Sequence, residues 1–98
     1  MIETTKLNDA QIQEALGTVQ GWELKEGQIT KLYKFKDFIG AMVFVNRVAE
    51  LAEEKDHHPD ILIRYNKVTL TLATHSAGGL TGKDFRLARE IDAPQNST

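Results

Sequence analysis

The sequence predicts an α+β fold in which helices cover one face of a four-stranded antiparallel sheet. Its apolar residues alternate between helical and strand periodicity, in the order α-β-β-α-β-β-α. Each pair of strands is separated by a short turn, as in antiparallel hairpins. The chain of 98 residues has the size of one domain. We expect a single domain over residues 1–98, with its core at about 7–92 and a frayed polar tail at 94–98.

The composition excludes several classes of protein. The chain has no cysteine, which excludes disulfide frameworks, thiolate nucleophiles and cysteine-ligated metals. Its 12 Lys and Arg against 14 Asp and Glu give a net charge of −2, which argues against a nucleic-acid partner. Mean hydropathy is −0.36, and no apolar run is long enough to span a membrane. The N-terminal residues lack the apolar stretch of a secretory signal, so we expect a cytoplasmic protein.

The first helix is predicted to begin at Asn8, whose side chain can cap the free backbone N–H groups. Gln11, three residues later, completes the pattern of a capping box. One face then carries apolar residues at helical spacing: Ile12, Ala15, Leu16 and Val19. Gly21 is predicted to mark the exit from this helix.

Two strands follow, over residues 22–24 and 28–35. The second strand has an apolar face with Ile29, Tyr33 and Phe35, and a mixed face with Thr30, Leu32 and Lys34. Lys31 interrupts the apolar face. We expect its aliphatic stem to lie along a sheet edge with its ammonium group in water.

The longest helix is predicted over residues 38–54, with Asp37 as its cap. Its apolar stripe consists of Phe38, Ala41, Met42, Val45, Val48, Ala49 and Ala52. Phe44 and Leu51 widen this stripe, while Ile39 and Val43 add apolar surface on another side. One sheet cannot cover so much apolar surface, so we expect a contact between subunits through this helix. A small crevice under a loop is the alternative.

A second hairpin and a third helix complete the chain. Apolar residues at alternate positions define the strands: Ile61, Ile63 and Tyr65, then Val68, Leu70 and Leu72. Asn66 and Lys67 are predicted to form the turn between them. Thr81 is predicted to cap the last helix with Asp84 as its capping-box partner, and Pro94 to end it.

Histidines are the candidates for chemistry. His57 and His58 follow the long helix and precede Pro59, which stops the helix and favours an extended connector. The negative end of the helix dipole and the nearby carboxylates of Glu53, Glu54 and Asp56 favour a protonated imidazole. Such a group can donate a proton near neutral pH. A polar helix exit with no chemical role is the alternative.

His75 is predicted to end the last strand, just before a loop of small residues. Because a hairpin returns to its starting point, His75 can approach His57 and His58 within the width of one ligand. A satisfied polar strand end is the alternative. Adjacent histidines rarely present both nitrogens to one ion, so no metal is predicted. Ser76 lacks a nucleophile-elbow pattern, and residues 78–82 are interpreted as a turn and cap.

Several short motifs occur together: Glu53-x-x-Asp56-His57-His58-Pro59, Tyr65-Asn66-Lys67-Val68, Leu72-x-Thr74-His75 and Gly79-Leu80-Thr81-x-x-Asp84. With Gly21-Trp22, Phe35-Lys36-Asp37-Phe38 and the order of elements, they resemble the pterin-4a-carbinolamine dehydratases over residues 7–92. The resemblance implies an enzyme that dehydrates 4a-hydroxytetrahydrobiopterin, or a similar pterin, to the quinonoid dihydropterin. That product returns to the cofactor cycle of aromatic amino-acid hydroxylases. No metal or organic cofactor is implied.

The resemblance also implies roles for individual residues. His57 and His75 become candidates for acid–base catalysis at the leaving hydroxyl, and His58 for holding the pterin or sharing the proton transfer. The substrate-binding candidates are Glu53, Asp56, Pro59, Thr74, Ser76 and Asp84. Asp84 has the capping box as an alternative role.

A binding or assembly protein is the alternative function, because relatives of this fold stabilise transcription-factor dimers or help to assemble larger enzymes. The histidines favour catalysis, since a pure binding protein does not need them. The resemblance further implies a homodimer that extends the sheet at its edge, or a homotetramer packed through the long helix with Phe44 and Leu51. No nucleic-acid or membrane partner is expected.

Overall fold

The computed structural model describes residues 5–93. The predicted tail at 94–98, with Pro94 as helix stop, lies outside these residues. The elements are α1 (Asp9–Leu16), β1 (Glu23–Lys25), β2 (Gln28–Lys34), α2 (Phe38–Lys55), β3 (Asp60–Arg64), β4 (Lys67–Leu72) and α3 (Gly82–Asp92). A 3-10 turn, His75–Ala77, precedes α3. The α+β class and the predicted order of elements are confirmed.

The sheet has the strand order β1-β2-β4-β3, and all neighbouring strands are antiparallel. The two hairpins are therefore joined through β2 and β4, while β1 and β3 form the edges. The inner face packs against the helices and carries the core residues Ile29, Val68, Leu70 and Leu72, which are all fully buried. The helices add Ala41 and Val48 from α2 and Phe85, Leu87, Ala88 and Ile91 from α3 to the core.

Lys31 lies one residue beyond the part of β2 that pairs with β1, so its position is locally a sheet edge, as predicted. The prediction that its ammonium group lies in water is wrong. Its Nζ instead donates to Asp92 Oδ2 at 3.0 Å and to the carbonyl of Gln20 at 3.1 Å. Asp92 also accepts from Trp22 Nε1 at 2.8 Å and from the Tyr33 hydroxyl at 2.5 Å. Burial, together with the hydrogen bond to Asp92, raises the pKa of Tyr33 far above its usual value. A carboxylate at the end of α3 therefore clamps this helix to the sheet.

The predicted N-caps are confirmed. Each accepts a backbone N–H: Asn8 from Gln11 at 2.8 Å, Asp37 from Gly40 at 2.8 Å and Thr81 from Lys83 at 3.2 Å. The helix α1 is shorter than its apolar pattern suggests, since it ends at Leu16 with Gly17 as C-cap. Val19 is still buried, in the turns that follow.

Phe44 and Leu51 pack against the core rather than widening an outer surface. The ring centroid of Phe44 lies 4.5 Å from that of Tyr33 and 5.0 Å from that of Phe35. The large apolar residues that α2 leaves exposed are Phe38, Ile39 and Val43, at 47%, 73% and 65%. The unpartnered apolar surface of α2 therefore lies in its N-terminal half.

The turn between β3 and β4 is formed by Tyr65 and Asn66, one residue earlier than predicted. Tyr65 has φ of 53°, in the left-handed region. The side-chain amide of Asn66 donates to the backbone carbonyl of Phe35 at 2.9 Å. The backbone carbonyl of Asn66 accepts from the Phe35 N–H at 2.8 Å. These two bonds tie the turn to the end of β2, so Lys67 becomes the first residue of β4.

Arg47 joins the two long helices. Its guanidinium donates to three backbone carbonyls at the end of α3: Ile91 at 2.7 Å, Glu90 at 3.1 Å and Ala93 at 3.3 Å. The last carbonyls of a helix lie beyond its regular backbone hydrogen bonds, so Arg47 caps this end of α3, and it shares the Glu90 carbonyl with the N–H of Ala93 at 3.3 Å. Among residues 5–93, no helix is both long and apolar enough to cross a membrane.

Candidate active site

His57 is held at the backbone by the way in which α2 ends. Asp56 adopts the left-handed conformation, with φ of 52° and ψ of 44°. The N–H of His57 then reaches the carbonyl of Ala52 at 3.0 Å, and the N–H of Asp56 reaches that of Glu53 at 3.3 Å. This pair of bonds is a Schellman motif, in which the left-handed position is usually glycine. The direction in which the chain leaves α2, and hence the position of His57, is fixed by this turn.

The imidazole of His57 is paired with the carboxylate of Asp84. His57 Nε2 lies 2.5 Å from Asp84 Oδ1, which joins the end of α2 to the first turn of α3. His57 is 8% exposed and Asp84 is 0% exposed. A charge-assisted hydrogen bond excluded from water holds a ring orientation far better than one on the surface.

The second oxygen of Asp84 is also satisfied. Oδ2 accepts from the Thr74 hydroxyl at 2.8 Å and from the Thr81 backbone N–H at 3.0 Å. The hydroxyls of Thr74 and Thr81 lie 2.8 Å apart, and since Thr74 donates to Asp84, Thr81 donates to Thr74. Asp84 therefore completes the predicted capping box of α3 with one oxygen and holds His57 with the other. The capping-box role considered for Asp84 is confirmed, and pterin binding by its carboxylate stays a prediction.

This network determines which nitrogen of His57 is available for proton transfer. Both carboxylate oxygens accept, so the proton between Asp84 and His57 lies on Nε2. Nδ1 has no hydrogen-bond partner, and no buried side-chain nitrogen or oxygen in the described chain lacks one. Nδ1 therefore reaches the molecular surface. It is the atom at which His57 can take up or deliver a proton.

His58 occupies a more open position. Its Nε2 lies 2.6 Å from Glu53 Oε2, and both side chains are mostly exposed, at 55% and 79%. Pro59 is half-buried and leads into β3. The adjacent histidines thus face different surroundings: His57 contacts the buried carboxylate and His58 contacts an exposed one.

His75 is exposed and begins the 3-10 turn, three residues beyond the end of β4 rather than within the strand. It lines a cleft of about 440 Å³. The other lining residues include Lys6, Asp9 and Glu26. Ser76 is exposed in the same turn. Within residues 5–93, no hydrogen bond joins two of the imidazoles, and His75 is connected to His57 through its neighbour Thr74 and Asp84.

The structure thus brings together His57, Thr74 and Asp84, and leaves His58 with Glu53 as a separate exposed pair. Sequence reasoning missed Thr81 as a member of the hydrogen-bond network, although it predicted Thr81 as a helix cap. It also missed Lys6, Asp9 and Glu26 at the cleft beside His75, because polar residues in loops, in turns and at the start of a helix carry no periodic signal. No group of side chains in residues 5–93 has the arrangement of a metal site.

The molecule is thus a small α+β domain with a buried imidazole–carboxylate pair between α2 and α3. The family described as "Pterin 4 alpha carbinolamine dehydratase" matches residues 5–94. The chain belongs to this family, as the motifs around the histidines predicted.

Two curated relatives carry the same name, "Putative pterin-4-alpha-carbinolamine dehydratase". The one from Thermomicrobium roseum is 55% identical over 86 residues, covering 88% of this chain and 92% of the relative. The one from Sulfolobus acidocaldarius is 43% identical over 90 residues, covering 92% and 99%.

Two solved structures are similar in fold. A transcriptional coactivator/pterin dehydratase from Brucella melitensis has a TM-score of 0.86 at 40% identity, covering 90% of this chain and 96% of that one. A pterin dehydratase-like protein identified as a RuBisCO assembly factor in the alpha-carboxysome has a TM-score of 0.59 at 24% identity, covering 72% and 82%. The second similarity shows the shared fold alone.

Proposed function

We propose that this protein dehydrates a 4a-hydroxytetrahydropterin, such as 4a-hydroxytetrahydrobiopterin, to the quinonoid dihydropterin. Membership of the family supports the substrate class. The observation that carries the chemistry is the pair of His57 with the buried carboxylate of Asp84, which leaves Nδ1 of the ring available.

The reaction needs two proton transfers and no electron transfer. The bond between C4a and the hydroxyl oxygen breaks, and the oxygen must gain a proton to leave as water. N5–H loses its proton, and the electrons of that bond form the C4a=N5 double bond. A general acid at the oxygen and a base at N5 are therefore sufficient, and each such group typically contributes a factor of about 10²–10⁴ in rate.

We assign His57 as the acid that protonates the leaving hydroxyl. A protonated imidazole carries hydrogen on both nitrogens, and the carboxylate of Asp84 accepts the one on Nε2. Delivery from Nδ1 returns the ring to its neutral form with the Nε2 proton unchanged. Asp84 is a positioning residue in this scheme, because both of its oxygens are occupied and it is fully buried.

The remaining candidates are proposed to act together with this centre. His75 is proposed as the second proton-transfer group. It lines a cleft of about 440 Å³, a volume that suits a small bicyclic ligand, and the pterin must extend out of this cleft to reach His57, which does not line it. His58 is proposed to hold the pterin or to share the proton transfer. Glu53, Asp56, Pro59, Thr74 and Ser76 are the proposed binding residues, and Thr74 additionally fixes the Asp84 oxygen.

The test is the decay of enzymatically generated 4a-hydroxypterin, followed by absorbance in a stopped-flow instrument. The protein should accelerate the decay, and His57→Gln and His75→Gln should each lose a factor of about 10²–10⁴ of that acceleration. His58→Gln, at the imidazole paired with the exposed Glu53, should lose less than about tenfold if His58 only holds the pterin, and a larger loss would assign it a share of the proton transfer. If the wild-type protein adds nothing to the uncatalysed decay, the proposed activity is wrong. Full activity in both His57→Gln and His75→Gln would exclude their proton-transfer roles and leave the reaction itself standing.

A second candidate function, binding to a partner protein, is favoured by the exposed apolar residues Phe38, Ile39 and Val43 on α2. The similar Brucella structure is described as a coactivator as well as a dehydratase. We propose that these residues pack against a second copy of the chain, which gives a homodimer. A further contact between copies at the sheet edge would give a homotetramer. Sedimentation of Val43→Glu should show a lower mass than Gln13→Glu, a control on the exposed side of α1. Equal masses for the two variants would rule out α2 as the contact.

A further inference from the structure

The outer face of the sheet, opposite the helices, carries three cations in a row. In the pairing of β2 with β4, Lys34 is directly opposite Lys67, and in the pairing of β3 with β4, Arg64 is directly opposite Lys67. Val68 and Leu70 point to the core, so Lys67, one position away, points outward. We call Lys34, Lys67 and Arg64 the cation row. Neighbouring strands are about 4.8 Å apart, so the row spans roughly 10 Å.

The cation row is unusual because like charges directly opposite each other destabilise a sheet. Within residues 5–93 no acidic side chain offsets them: neither Lys34 nor Arg64 has a hydrogen-bond or ion-pair partner, and Lys67 makes one long contact of 3.4 Å with Asn66 Oδ1. All three side chains are exposed. The fold gains nothing from this arrangement, whereas an anion that bridges the three charges would remove their repulsion.

An apolar floor lies next to the cation row on the same face. Leu32 and Leu62 flank Thr69 in the adjacent cross-strand row, and they are 51% and 55% exposed. Tyr65, in the turn beside Arg64, is 65% exposed. These side chains, with Arg64 and Lys67, line a cleft of about 780 Å³. That volume is in the range of small-molecule sites, which combine apolar walls with a few polar groups.

The sign of the charge changes along this face, and this change decides the size of the ligand. Two registers beyond the floor, the row of Thr30 and Thr71 ends in acidic residues, Glu23 on β1 and Asp60 on β3. A long polyanion crossing the sheet would meet these carboxylates. A compact anion at the cation row would not.

We propose that the cation row and the apolar floor bind a small molecule with a phosphate head and a flat apolar body, an aryl phosphomonoester being the simplest example. The phosphate contacts Lys67 and Arg64, with Lys34 adding charge from the neighbouring strand. The flat body covers Leu32 and Leu62, and the ring of Tyr65 closes one side. The site is separate from the histidines, and none of its residues belongs to the proposed dehydration machinery.

The test is a titration of the ¹⁵N-labelled full chain with phenyl phosphate, followed by amide chemical shifts. Shifts should be confined to residues 32–34 and 62–69. Inorganic phosphate and phenol, tested separately, should each bind more weakly than phenyl phosphate, because each reaches only half of the site. Lys67→Gln and Arg64→Gln should each weaken binding about two- to fivefold, the usual value of one exposed charge pair.

Lys25→Gln is the matched control, because it removes the same charge from β1, at the other end of the sheet. The proposal is overturned if phenyl phosphate causes no shifts at concentrations up to 20-fold above about 1 mM. It is also overturned if the shifts centre on the His75 cleft or on α2, if phenol causes equal shifts, or if Lys25→Gln weakens binding equally. A fall in sedimenting mass for Lys67→Gln also overturns it, since a second copy would then cover this face. The dehydration rate is measured separately, so failure here is distinguishable from failure of the proposed function.

Discussion

Replacing Asp84 by Asn preserves the shape of the side chain and removes its charge. Asp84 accepts three hydrogen bonds, from His57, Thr74 and Thr81, and is fully buried. An amide has one acceptor oxygen, and its nitrogen donates. Two of the three donors meet the same carboxylate oxygen, so the least costly arrangement keeps an oxygen there and turns the amide nitrogen towards His57 Nε2.

In Asp84→Asn, His57 Nε2 must then accept, and the ring proton moves to Nδ1. A protonated imidazole becomes unfavourable, because its Nε2–H would face another donor. We expect loss of the acid–base contribution, a factor of about 10²–10⁴ in rate. The free energy of unfolding should fall by about 2 kcal/mol, because charge-assisted hydrogen bonds worth about 1.5–3 kcal/mol give way to neutral ones worth about 0.5–1.5 kcal/mol.

Three measurements test this reasoning: stopped-flow dehydration, urea unfolding, and ¹⁵N chemical shifts of the His57 ring, which distinguish the two tautomers. Asp92→Asn is the control, since Asp92 also accepts three hydrogen bonds on α3 but is exposed and lies away from the histidines. It should lose stability and keep its rate at saturating substrate. If Asp84→Asn retains both the Nε2–H tautomer and the wild-type rate, the positioning role of Asp84 is refuted.

Three further outcomes are expected. Arg47→Met removes the donor from three carbonyls at the end of α3 and should lower the free energy of unfolding by about 2 kcal/mol in urea, with Arg47→Lys recovering part of it; an unchanged midpoint contradicts the capping role. Tyr33 is the sole phenol in Tyr65→Phe, and its absorbance at 295 nm should begin to change only well above pH 10, because the pKa of Tyr33 is raised in the fold. The raised pKa means that the stability contributed by Tyr33 is present below about pH 10 and is lost as the pH rises further; ionisation in the folded protein near pH 10 would disagree. Asp56→Gly relieves a left-handed φ and should raise the free energy of unfolding by about 1 kcal/mol, while Asp56→Asn should not. If both variants keep the wild-type KM, the carboxylate of Asp56 does not bind the pterin.

The sequence was sufficient for the element types and their order, because each relies on local chemistry. The caps at Asn8, Asp37 and Thr81 lie within three residues of the groups that they bind. The ammonium group of Lys31 was placed in water because its partner Asp92 is 61 positions away, and no local pattern predicts a contact between such distant segments. Phe44 points towards the core because its ring packs against that of Tyr33, which is another contact between separate elements.

The site divides in the same way. The motifs identified the family, and the capping pattern identified Asp84 at the start of α3. The bond between Asp84 and His57 joins residues 27 positions apart, and its formation depends on how α2 and α3 cross. The spacing of apolar residues along the sequence does not predict how two helices pack against each other. The split of His57 and His58 into one buried and one exposed environment likewise follows from the turn at Asp56, whose left-handed conformation is unusual for a residue other than glycine.

The double use of Asp84 links local unfolding to loss of reactivity. One oxygen secures the first turn of α3 and the other secures the imidazole, so fraying of that turn releases His57 without global unfolding. The Thr81 amide donates to Asp84, so its hydrogen exchange reports the fraction of molecules in which Asp84 no longer holds the imidazole of His57. On heating, reactivity should fall in step with this exchange and before the sheet melts. The thermal limit of the reaction would be the stability of a single helical turn.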